Sequence, residues 1–129
     1  MKLAVEVSGP PDGTPFVWAH GMTSSMAADD DSGVFDWSSL EAVRVVRYDA
    51  PSHGRSPIAP SDEDHRWDRL ADTMLSVADS AGFSTFVAGG ASMGAATALH
   101  AAALAPERVS AMVLVIPPTA WETRAAQAG

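Results

Sequence analysis

Cysteine is absent from these 129 residues, which removes disulfides, a thiolate nucleophile and any Cys-based metal site. No apolar run approaches the ~20 residues that span a bilayer. The stretch from Met1 to Gly9 alternates apolar and polar residues and has no apolar signal core. Basic residues are scarce, with 8 Lys and Arg against 16 Asp and Glu and a net charge of −8. Phosphate backbones need Lys and Arg, so nucleic acid is not an expected partner. The four histidines show no metal-ligand spacing, and no cofactor is expected. A dinucleotide-binding domain would carry G-x-G-x-x-G after its first strand. That region instead holds Gly9-Pro10-Pro11-Asp12-Gly13, which reads as a turn. There is no internal repeat, low-complexity tract or long linker. These absences leave a soluble, cytoplasmic protein without a membrane partner as the expectation.

What remains is a chain with 47% hydrophobic residues, enough for one domain with a real core. The acidic clusters Asp29-Asp30-Asp31 and Asp62-Glu63-Asp64 read as solvated loop faces. Leu3 to Val7 alternates as a strand does, while Phe16 to Ala19, Val43 to Tyr48 and Thr85 to Ala88 are short apolar runs. A fifth run, Ala111 to Ile116, is closed by Pro117 and Pro118. Continuous apolar runs suit strands of a parallel sheet covered on both faces. Trp67, Leu70, Ala71, Met74, Leu75, Ala78 and Ala81 keep helical spacing, with Gly82 as a stop. Met93 to Ala105 is an Ala-rich helix that ends before Pro106. Val34 to Ala42 is a shorter helical segment. Strands alternating with helices predict an α/β fold, a three-layer, doubly wound, mostly parallel sheet of about five strands. Ligands of such sheets sit at the carboxyl ends of the strands. Chemistry is therefore sought just after Ala19, Tyr48, Ala88 and Ile116.

After the strand ending near Ala88 comes Gly90-Ala91-Ser92-Met93-Gly94, a G-x-S-x-G. Alone it is a weak signal, since roughly 0.08 such matches arise by chance in a chain like this. Its setting between a buried-type strand and an Ala-rich helix is what a nucleophile elbow requires. So tight a turn strains the serine, and side chains two residues either side would collide; Gly90 and Gly94 remove that clash. The bend lifts the Ser92 hydroxyl clear of the sheet. It also brings the first amides of the helix, Met93 N–H among them, where they can stabilise an oxyanion. The plainer reading is a Gly-rich turn around a buried serine.

Three motifs in order, each at the end of a predicted strand, resemble the α/β-hydrolase family. His20-Gly21-Met22 resembles the family's oxyanion turn, which implies that Met22 lends a second backbone N–H. Asp49-Ala50-Pro51-Ser52-His53-Gly54-Arg55-Ser56 is similar to the family's D-x-x-G-H-G-x-S loop, with Ser52 where glycine is usual. The elbow is the third, and Ala105-Pro106-Glu107-Arg108-Val109 resembles the family's helix-to-strand link. A Ser nucleophile disfavours the Asp-nucleophile dehalogenases and epoxide hydrolases, and the lack of cysteine excludes the dienelactone hydrolases. His20 and His53 are expected to bond to nearby backbone and shape loops. Asp49 is expected to anchor its loop rather than to serve as a triad acid.

A serine hydroxyl is a poor nucleophile until a histidine takes its proton and a carboxylate orients that histidine. In this family the acid and then the histidine follow the serine. After Ser92 the acids are Glu107 and Glu122 and the histidine is His100. His100 lies eight residues along the same helix, roughly 12 Å away at ~1.5 Å per residue, whereas a general base must approach to about 3 Å. Glu122 follows the last strand, where some family members keep their acid. The triad does not close within this chain in the family's manner.

The resemblance therefore implies the N-terminal part of a single α/β-hydrolase domain over 1–129, without its cap and C-terminal half. Trp121 to Gly129 reads as the start of a helix. Two functions are expected in turn. One is a serine hydrolase acting on a small-molecule ester, lactone or related acyl substrate, inactive as this fragment. The other is a non-catalytic truncated or pseudo-hydrolase that completes its sheet with a partner chain. The run 111–116 becomes an apolar edge in either case, and such edges template self-association.

Overall fold

The computed structural model of the protein describes residues 2–118. Five strands form one sheet: β1 (Val5–Ser8), β2 (Thr14–Ala19), β3 (Val43–Tyr48), β4 (Phe86–Ala91) and β5 (Val109–Val115), in the order β1-β3-β2-β4-β5. β1 runs antiparallel to β3, and every other pairing is parallel. Three helices connect them: α1 (Met26–Ser32), α2 (Trp67–Ser80) and α3 (Met93–Leu104). No helix among the described residues is long and apolar enough to cross a membrane.

Strand side chains alternate between faces, and each face has its own cover. Val17, Ala19, Val46 and Tyr48 join Leu70, Met74, Val77 and Ala98 in a core with α2 and α3. α2 meets it with a stripe at helical spacing, and Gly82, at φ 78, turns the chain out of the helix. α3 packs against both α2 and the sheet, so its first turns are buried nearly all round and its alanines allow the close approach. Phe16, Trp18 and Val45 face the other way, against Phe35 and Trp37. There the Trp18 ring lies 4.8 Å from Phe35 and 5.1 Å from Trp37. Buried Arg47 lies over Trp37 on that side, and it pairs with Glu6 at 2.8 Å and with Asp30 of α1 at 3.0 Å. The result is the expected three-layer α/β sheet.

Several expectations shift. The first strand is Val5–Ser8 rather than Leu3 to Val7, because its partners on β3 begin at Tyr48. The fourth runs on through Gly89, Gly90 and Ala91, whose pairing with β2 and β5 continues past Ala88. Val34 to Ala42 forms only a single 3-10 turn, Trp37–Ser39. Its aromatics are drawn down onto Trp18, and Asp36 caps the turn with a bond from Ser38 N–H at 3.2 Å. The acidic run read as a solvated loop is helix α1, capped by the Ser25 side chain at its start and by Gly33, at φ 68, at its end. Asp29 in it is buried. β5 is not covered on both faces: Met112 and Val113, which point to opposite sides, are each 44% exposed.

Candidate active site

β4 passes into α3 with no connecting residue to spare. Ser92 N–H donates to Val115 O at 2.9 Å as the last bond of the sheet, while Ser92 C=O accepts from Ala96 N–H at 3.0 Å as the first bond of the helix. One residue serving both patterns is forced to φ 53 and ψ −110, a strain on the order of 1–3 kcal/mol. A Cβ on Gly90 would lie 2.2 Å from the backbone of Gly94, and one on Gly94 would lie 1.9 Å from Ala19 O. Neither position admits a side chain. Ser92 is half-buried, and its hydroxyl makes no capping bond to α3, the usual role of a serine at a helix start.

The turn after β2 leans on this bend. A Cβ on Gly21 would come within 3.8 Å of Ser92 Cβ. His20 is buried beside it. Ala50 N–H donates to His20 Nε2 at 3.0 Å, so the ring proton sits on Nδ1 and is donated to Gly21 O at 2.7 Å. That carbonyl belongs to the same peptide plane as Met22 N–H, so His20 sets where the amide points. Burial lowers the His20 pKa from its ordinary value and so favours the neutral ring, an effect partly offset by the bond to Gly21. His53 sits 5.2 Å from His20, ring to ring, with Nε2 2.7 Å from Met22 O and Nδ1 2.9 Å from Pro51 O. Both histidines therefore spend their nitrogens on backbone.

Asp49 ties these loops together. Its carboxylate accepts from Met26 N–H at 2.8 Å, at the start of α1, and from Arg55 N–H at 2.9 Å. Gly54, at φ 50, is needed here because a Cβ would come within 2.3 Å of that carboxylate. Ser56 hydroxyl donates to Asp49 O and accepts from Ala4 N–H at 2.9 Å. Asp49 is thus an anchor.

Sequence reading missed Asp29. It accepts from Ser24 hydroxyl at 2.5 Å and from the Trp18 indole at 3.4 Å, pinning the far side of the turn that bears Met22. The capping Ser25 and the terminal Gly33 were the available signal for the helix carrying it.

Ser92, Gly90, Gly94, His20, Gly21, Met22 and Met93 are therefore brought to one end of the sheet. His100 is not among them: it lies along α3 with its ring stacked on Trp67, 6.0 Å between centroids. Glu107 is exposed in the turn before β5, at the opposite end of the strands. Glu122 and the segment Trp121 to Gly129 lie outside the described residues.

The alpha/beta hydrolase fold family matches residues 14–128 of the chain. A proline iminopeptidase of Neisseria gonorrhoeae is 34% identical over 110 residues, which cover 84% of this chain and 34% of that protein. The dihydrolipoyllysine-residue acetyltransferase component of an acetoin cleaving system in Pseudomonas putida is 36% identical over 104 residues, 80% of this chain and 26% of that protein. A crystal structure of a hydrolase from Pseudomonas aeruginosa superposes with a TM-score of 0.81 at 26% identity, over 97% of this chain and 45% of that one. The chain thus spans about a third or less of the curated relatives it matches.

Proposed function

This chain belongs to the alpha/beta hydrolase fold family, and we propose that it carries the nucleophile half of a serine hydrolase acting on an ester, lactone or related acyl carbonyl. The observation that supports this most is the backbone at Ser92, at φ 53 between β4 and α3, with Gly21 packed against it. Strain of this kind persists only where the surroundings over-determine it, and here two glycines without room for a Cβ do so.

In this reading Ser92 Oγ attacks the carbonyl carbon, and the Met22 and Met93 amides receive the charge that develops on oxygen. The amides are fixed before the reaction, Met93 by α3 and Met22 by His20 and His53, so little reorganisation is needed as charge appears. The N-terminal end of α3 adds its partial positive charge. Proton transfer needs a base beyond these residues, because His20 and His53 are committed to backbone and His100 lies down the helix. A histidine and an acid contributed by further chain would complete the triad, and the segment alone would be inactive.

The test is hydrolysis of p-nitrophenyl esters of graded chain length by a longer protein carrying this segment. Ser92→Ala is expected to lower kcat/KM by at least about a thousandfold. Unchanged turnover in a folded Ser92→Ala protein would remove the assignment.

A second reading rests on β5. Its outer edge is unpaired among the described residues, and Met112, Val113 and Ile116 are exposed. A non-catalytic chain that completes its sheet with a partner would present the same edge.

A further inference from the structure

We propose that Ser52 and His65 form a second nucleophile–base pair, separate from Ser92, that accepts acyl groups from small activated esters. Ser52 adopts φ 69 in the loop after β3, a left-handed conformation that favours glycine and that serine rarely takes. Its backbone N–H donates to Pro57 O at 2.9 Å, and its hydroxyl oxygen accepts from Ala59 N–H at 2.8 Å. With one lone pair so engaged, the hydroxyl is oriented toward its other neighbour, His65 Nε2, at 3.1 Å. The Nδ1–H tautomer of His65 accepts that proton, which is the nucleophile–base geometry of activated serines. Both side chains are open to solvent.

The step balances within the pair and the ester. Ser52 Oγ bonds to the carbonyl carbon while its proton passes to His65 Nε2. Collapse of the tetrahedral adduct breaks the bond to the leaving oxygen, which departs as the alcohol with the proton from His65. Ser52 is left as an ester. Its own N–H is held by Pro57, so no oxyanion donor comes from that amide, and the outcome is slow stoichiometric acylation rather than turnover.

The test uses the 129-residue chain in a Ser92→Ala background, treated with p-nitrophenyl acetate and mapped by peptide mass spectrometry. Acetyl is expected on Ser52 at a rate on the order of a hundredfold above exposed Ser39 and Ser110. His65→Gln should bring it down to their rate. Ser52→Gly places glycine where the backbone favours it, so that variant should stay folded and lose the adduct. Ser52 reacting no faster than Ser110, or equally fast in His65→Gln, in a chain with an unchanged circular dichroism spectrum would overturn the proposal.

Discussion

Ala50 N–H donates to His20 Nε2 across 3.0 Å, joining the loop after β3 to the turn after β2. The bond exists only while that nitrogen is unprotonated. His20 has a folded pKa below its ordinary 6.5, chiefly through burial. Between the two values the unfolded chain binds more protons than the folded one, so stability rises with pH. The contribution is complete above pH ~6.5 and is lost as pH falls through the folded value. Thermal melts from pH 8 to 5 should show Tm falling at the acid end. The fall should be shallower in His20→Gln. Parallel profiles for the two proteins would show that His20 is not the titrating group.

Gly90 and Gly94 fail to tolerate a methyl group for a reason of distance, since the added carbon would meet backbone at 2.2 Å and 1.9 Å. Gly94→Ala should cost about 3 kcal/mol or more, as backbone cannot move aside as a flexible side chain can. Gly33→Ala meets nothing within 4 Å and carries only the left-handed penalty of about 1–2 kcal/mol. Urea unfolding of the two variants should rank them in that order.

The acidic run does not behave as one feature. Asp29→Ala leaves the buried Trp18 indole without its acceptor and removes the short bond from the Ser24 hydroxyl, and should cost about 1–3 kcal/mol. Asp31→Ala, on the exposed side of α1, should fall within about 0.5 kcal/mol of wild type. Equal effects in chemical denaturation would contradict the buried role of Asp29.

The β5 edge should draw copies of the 129-residue chain together. Sedimentation is expected to show dimers or larger species, and Val113→Lys, which places a charge at an exposed edge position, should shift them toward monomer. A wild-type chain that stays monomeric at high concentration and binds no hydrophobic dye would rule this out.

The sheet was legible because its strands are short apolar runs and its two long helices keep their spacing or are rich in alanine. The elbow was legible because backbone that close leaves glycine as its only residue, and glycine can be counted. Ser52 was visible as a departure from a familiar loop, and its positive φ supplies the reason glycine is usual there. α1 was hidden because three aspartates in a row carry no apolar stripe, and what buries Asp29 is an indole N–H eleven residues earlier. Val34 to Ala42 misled for the converse reason: Phe35 and Trp37 have helical company in sequence but answer to Trp18 in space. The exposure of β5 depends on what stands beside it, which its own residues do not encode.

The assignment of Ser92 is tested most directly by treating a longer protein carrying this segment with a fluorophosphonate and locating the first adduct by peptide mass spectrometry. Phosphonyl is expected on Ser92, lost in Ser92→Ala while the fold is kept. A first adduct on any other residue, or none in a protein that hydrolyses esters, would contradict it.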